Sequence, residues 1–194
     1  MNVVAIGASP RLNSNTSFLI DQVLDEIKRE GINTEKFVLS RYKISPCYGH
    51  DDCGSLQECR IQDDAPAILE KVVEADAVIL ASPIYMYSVT AFMKIFMDRT
   101  YFFYTHDRRP KAKVAGFIAI GGGAGADETI QEMKKLLGPS KIRKLVLKGY
   151  TGEGDDVKTK PEIISEARAM GKEIAAILKT GKTKKQDKTD KGGN

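Results

Sequence analysis

No stretch of this 194-residue chain is apolar for long enough to cross a membrane as a helix, so no membrane partner is expected. No basic segment followed by a cleavable apolar run precedes the first strand, and the expected location is the cytoplasm. No Gly-Lys-Ser/Thr follows a glycine loop, which argues against a P-loop nucleotidase. Internal repeats are absent, as is any composition shift that would mark a second domain. The body also lacks an excess of positive charge. The formal net charge is +4, and the six lysines and two aspartates from residue 179 onward account for all of it. A nucleic-acid binder carries its basic stripe on the fold, so no nucleic-acid partner is expected. The Lys-rich tail over 180–194 has no core-forming residues and reads as a disordered end. Cysteine is scarce, with three residues, too few and too close together for a disulfide framework.

What is present suits a globular core: 42% hydrophobic and 29% charged residues. Apolar runs alternate with helical patterns. Strands are expected over 2–7, 35–39, 77–82, 113–120 and 141–148, and helices over 15–30, 64–74, 90–98, 126–137 and 160–179. Phe18, Leu19, Val23, Leu24 and Ile27 have the spacing of one buried helix face. Val78, Ile79, Leu80 and Ala81 form a continuous apolar strand, as needed where both faces of a sheet are covered. Repeated strand–helix alternation implies an α/β fold with a parallel sheet and right-handed crossovers.

The first strand runs into Gly7-Ala8-Ser9-Pro10-Arg11-Leu12-Asn13-Ser14-Asn15-Thr16, after which a helix begins. Unpaired amides at a helix start, together with the aligned peptide dipoles, make an anion site. Ser9, Ser14 and Thr16 add hydroxyls, Asn13 and Asn15 amides, and Arg11 a charged fork. An ordinary helix cap would explain one or two of these polar positions, not all six. Ligands of such sheets lie beyond the carboxyl ends of the strands. Two more strand ends are unusual there: Pro83-Ile84-Tyr85-Met86-Tyr87-Ser88, and Gly121-Gly122-Gly123. Brought together, the three offer a phosphate cradle, a flat aromatic and apolar wall, and close backbone approach. Those are the requirements of flavin mononucleotide (FMN).

These residues carry a resemblance. The first turn, with Ser82-Pro83-Ile84-Tyr85, Ser88-Val89, Met93-Lys94 and Asp98-Arg99, resembles the NAD(P)H-dependent FMN reductase branch of the flavodoxin-like proteins over most of residues 1–179. The resemblance implies a three-layer fold, with a five-stranded parallel sheet in the order 2-1-3-4-5 and helices on both faces. It implies that Ser9, Arg11, Asn13, Ser14, Asn15 and Thr16 hold the FMN phosphate. Pro83, Ile84, Tyr85, Met86, Tyr87 and Ser88 would lie along the isoalloxazine, with Gly121, Gly122 and Gly123 on its other side. NAD(P)H would be the electron donor and a small molecule or a protein the acceptor. The assembly would be a homodimer or homotetramer. No catalytic acid, base or nucleophile stands out.

The long irregular stretch over 41–63 holds all three cysteines, Cys47, Cys53 and Cys59, at six-residue spacing, with His50 midway between the first two. Loops of that length tend to be functional. This one resembles the loop of the iron–sulfur flavoproteins, in which four cysteines hold a [4Fe–4S] cluster; His50 stands in the second cysteine's place. A cluster, a Cys₃His zinc site, a redox thiol pair and a metal-free loop all remain open. The corresponding functional alternatives are an electron-relaying iron–sulfur flavoprotein and a non-catalytic phosphate-ligand module.

Other features read as structural. Gly121-x-Gly123-x-x-Ala126 follows the fourth strand, not a first βαβ unit, so it is a poor dinucleotide fingerprint. Tyr101 to Tyr104 are expected to pack against the sheet or a second subunit, with a lid over the flavin as the alternative. His106 is expected in an exposed loop, Asp51 and Asp52 as solvated turn residues, and Met86, Met93 and Met97 as adaptable packing. Asp98 and Arg99 are expected to pair with each other.

Overall fold

The structure is a computed structural model that describes residues 1–138, 141–152 and 156–181. The strands are β1 (Asn2–Gly7), β2 (Asn33–Val38), β3 (Ala77–Pro83), β4 (Val114–Gly121) and β5 (Arg143–Tyr150). The helices are α1 (Asn15–Arg29), α2 (Ala65–Glu74), α3 (Ala91–Asp98), α4 (Tyr101–Thr105), α5 (Ala126–Lys134) and α6 (Pro161–Thr180). All strand pairs are parallel, in the order β2-β1-β3-β4-β5. Every expected strand and helix is found, with boundaries moved by a few residues. The Lys-rich tail, beyond the Gly181 that caps α6, falls outside the described residues.

Burial explains the strand sequences. From Ala77 to Ser82, β3 is wholly buried, and β4 is buried from Val114 to Ile120, so both are apolar except at Ser82, whose hydroxyl is hydrogen-bonded. The outer strands β2 and β5 carry charged residues on partly exposed positions. One core fills the face under α2, α3 and α5, built on Ile68, Leu69, Met93, Phe96, Ile130 and Met133. The other fills the face under α1 and α6, built on Leu19, Ile20, Val23, Ile27, Ile174 and Leu178. There α6 presses against α1 at Gly171, where a Cβ would stand 2.4 Å from the Val23 carbonyl oxygen. A side chain at this position would force the helices apart.

The expectations that change are local. Residues 101–105 form α4, which buries Phe103 and leaves Tyr101 and Tyr104 stacked in solvent, 6.5 Å between ring centroids. Met93 and Met97 are in the core, but Met86 is 91% exposed, because it sits at the tip of a tight turn. His106 is half-buried, not in open solvent: its Nδ1 lies 2.8 Å from the Phe102 carbonyl oxygen and its Nε2 lies 2.7 Å from that of Leu56. Asp52 pairs with Arg60. Asp98 pairs with Lys94 one helical turn back, and Arg99 turns inward to Asp63. Residues 98 and 99 point to different sides of the helix end, so they do not form a pair.

Candidate cofactor cleft and cysteine loop

The first turn is organised by its own side chains. Ser14 is the N-cap of α1, and its Oγ accepts from the Ser17 amide at 3.1 Å. Its hydroxyl also lies 3.2 Å from that of Thr16. The buried Ser9 Oγ accepts from the Arg11 amide at 3.1 Å. No acidic residue occupies the first turn of α1, so its positive end is uncompensated and faces the turn. The buried Thr90 ties this turn to β3: its hydroxyl donates to the Ala8 carbonyl at 2.7 Å, and its amide donates to Ser82 Oγ at 3.1 Å.

The second loop is strained. Tyr85 and Ser88 exchange amide–carbonyl bonds of 3.0 Å, and the two residues between them, Met86 and Tyr87, both have positive φ, 48° and 61°. Such a two-residue turn ordinarily takes Asn and Gly. A left-handed Met and Tyr cost free energy, and strain of this kind concentrates at functional sites. The third loop fits against it. The Ile84 amide donates to the Ile120 carbonyl at 2.9 Å, and Gly125 (φ 89°) lies so close that a Cβ there would stand 2.7 Å from Tyr87 Cα.

The three loops surround one cleft of about 330 Å³, at the lower end of the range for small-molecule sites, ~300–1,000 Å³. Ser9, Arg11, Asn13, Ser14, Asn15 and Thr16 line one end, and Pro83, Ile84, Tyr85, Gly121 and Gly122 line the other. Met86, Tyr87, Ser88 and Gly123 are not in the lining. The turn at 85–88 leaves Met86 and Tyr87 exposed at its tip, and Gly123 lies in the loop after β4. No residue of α4 lines the cleft either.

Ile120, Thr151, Gly152 and Asp156 complete the wall and went unread in the sequence. Thr151 and Gly152 directly follow β5, so the strand-end rule, applied to this edge strand as well, would have found them. Asn15 explains the closeness: its Oδ1 accepts from the Val157 amide at 3.1 Å and draws the β5–α6 connection onto the first turn.

The cysteine loop is closed by a stem. The Lys43 amide donates to Asp64 Oδ2 at 2.7 Å, and the Asp64 amide donates back to the Lys43 carbonyl at 3.0 Å. The Ser45 and Ala65 amides donate to Asp63 at 2.8 and 3.0 Å, and Arg99 pairs with the same carboxylate at 2.6 Å. Both side chains of this ion pair are almost wholly buried, at 2% and 1% exposed. Burial alone would raise the Asp63 pKa; the Arg99 bond and the two amides outweigh it and hold the carboxyl below the usual carboxylate range.

Within the loop Cys53 is buried, and Cys47 and Cys59 are half-buried. Burial first, then the charges Cys47 and Cys59 would carry, push the Cys53 thiol up. Among the described residues, no group of three or more His, Cys, Asp and Glu side chains is placed to grip a single metal ion. His50 lies edge-on to Tyr48, with ring centroids 6.2 Å apart.

The NADPH-dependent FMN reductase family model matches residues 1–150. An iron–sulfur flavoprotein of Methanocaldococcus jannaschii is 33% identical, over 92% of this chain and 98% of its own length. Another, from Methanosarcina thermophila, is 31% identical over 69% of this chain and 71% of its own. Among solved structures, an NAD(P)H:quinone oxidoreductase from Methanothermobacter marburgensis superposes with a TM-score of 0.73 at 18% identity, over 90% of this chain and 96% of the other. That identity establishes likeness of fold alone. By its match over three quarters of its length, the chain belongs to the NADPH-dependent FMN reductase family, alongside the archaeal iron–sulfur flavoproteins.

Proposed function

We propose that this protein is an FMN-dependent oxidoreductase that takes electrons from NAD(P)H and delivers them to free flavin, a quinone or another small-molecule or protein acceptor. One observation carries the reading: three strand-end loops meet on a cleft that is hydroxyl- and amide-lined at the α1 end and lined by Pro83, Ile84 and Tyr85 at the other. That gradient suits a ligand with a phosphate at one end and a flat ring at the other. FMN, when bound, supplies the hydride and single-electron chemistry. The chain's own residues bind, orient and keep water out. Ser9, Arg11, Asn13, Ser14, Asn15 and Thr16 would hold the phosphate. Pro83, Ile84, Tyr85, Gly121 and Gly122 would enclose the ring. Met86, Tyr87, Ser88 and Gly123 form a rim that a second copy would cover, in a homodimer or homotetramer. Residues 1–179 would act as the flavin-binding unit, in the cytoplasm.

A second reading is favoured by three cysteines and His50 in one loop closed at its stem, and by the names of the relatives. Cys47, His50, Cys53 and Cys59 are the right donor types for a [4Fe–4S] cluster, whose ligands stand farther apart than those of a single ion. Such a cluster would add one-electron exchange with protein partners. Protein purified without oxygen tests both readings. Flavin bands that bleach on adding NADPH support the first. Iron and acid-labile sulfide, with a broad shoulder beside the flavin bands, add the second. Colourless protein that gains no flavin spectrum when mixed with FMN contradicts both and leaves a phosphate-ligand module.

A further inference from the structure

Arg99, at the C-cap of α3, is committed four ways. Its Nη1 donates to Asp63 Oδ2 at 2.6 Å and to the Ser45 carbonyl at 3.0 Å. Its Nη2 donates to the Ile61 carbonyl at 3.2 Å and to Cys59 Sγ at 3.6 Å. The first three contacts join the two sides of the loop stem. The fourth reaches sulfur, and among the described residues neither Cys47 nor Cys53 receives such a bond. The guanidinium thus turns one edge to its counter-ion and the other to a thiol, in a dry site where electrostatic effects are strong. It also stands at the far end of the helix that starts just after the strained turn at the cleft, so one rigid element spans from flavin wall to cysteine loop.

We propose that Arg99 is a positioning residue for electron transfer: through its N–H bond to the Cys59 sulfur it raises the reduction potential of a [4Fe–4S] cluster held by the loop. This rests on the cluster reading above. Cluster reduction would take one electron at a time: NAD(P)H would give two as a hydride to the flavin, which would pass them on singly, and no bond to the cluster would break. The added negative charge spreads onto the ligating sulfurs. A guanidinium N–H aimed at one of them stabilises the reduced form more than the oxidised form.

Two measurements test the assignment. In reduced wild-type protein labelled with 15N-arginine, pulsed electron paramagnetic resonance should detect a guanidinium nitrogen coupled to the cluster spin. In the double variant Arg99→Gln with Asp63→Asn, chosen so that no buried charge is orphaned, the midpoint potential should fall by an amount equal to about a tenfold loss in the one-electron equilibrium constant, ~59 mV. If the variant loses its iron, the wild-type coupling decides alone. Iron with no arginine coupling, or a retained cluster with unchanged potential, overturns the role of Arg99 and leaves the cluster reading standing. Wild-type protein without iron and sulfide overturns both.

Discussion

Gly125 is where two cleft loops touch, and the contact leaves no room for a methyl group. A Cβ would meet Tyr87 Cα at 2.7 Å, and a φ of 89° is costly for any other residue. Gly125→Ala should therefore destabilise the fold by about 1–3 kcal/mol and weaken FMN retention, because relief of the clash moves the turn at 85–88 off the cleft. Denaturant unfolding and a flavin fluorescence titration check the two effects. The site is unevenly legible at this scale. Ser9, Ser14 and Thr16 were readable because a polar cluster between an apolar strand and an amphipathic helix has few other uses. Met86 and Tyr87 were not, because residue type does not reveal whether a two-residue turn points its side chains into the cleft or out to solvent. Asp156 was hidden for a different reason: it lies in the β5–α6 connection, which the Asn15–Val157 bond draws onto the first turn.

At the scale of elements, the cysteine loop is held by charge. The folded-state pKa of Asp63 is depressed, so its contribution to stability is fully present above its unfolded value, ~3.9, and is lost as pH falls below that value toward the folded one. Loop amides should accordingly lose hydrogen-exchange protection in the acid range, below about pH 4, before the central strands do. Asp63→Asn should cost about 3–5 kcal/mol at neutral pH by leaving Arg99 unpaired, and it should flatten the acid dependence. Equal protection of the loop across that range would contradict the assigned role of the pair. The loop and its cysteines were legible from spacing, but the stem was not, since Asp63 and Arg99 stand 36 positions apart and nothing in the sequence signals that they meet. α4 was not legible because four adjacent aromatics have no helical period; of them Phe103 is buried and Phe102 packs against the core from its edge.

For the whole molecule, the parallel sheet places every strand's carboxyl end on one rim, and the order β2-β1-β3-β4-β5 sets β1 beside β3 and β3 beside β4. Their three loops therefore adjoin by topology before any side chain is considered. That is why the α/β class and the place of the cleft at the strand ends could be read from alternating apolar runs, while the strand order came from the family resemblance and the rim's final shape depended on long-range contacts such as Asn15 with Val157. The central claim is that the turn before α1 binds phosphate. Its most direct test compares the affinity of the flavin-free protein for FMN and for riboflavin, which lacks the phosphate, in the wild type and in the double variant Arg11→Ala with Ser14→Ala. Two charge-assisted hydrogen bonds of ~1.5–3 kcal/mol each, discounted for exposure, give an FMN preference on the order of a hundredfold. The account predicts that the wild type shows this preference and that the double variant loses most of it. Equal binding of FMN and riboflavin by the wild-type protein would contradict it.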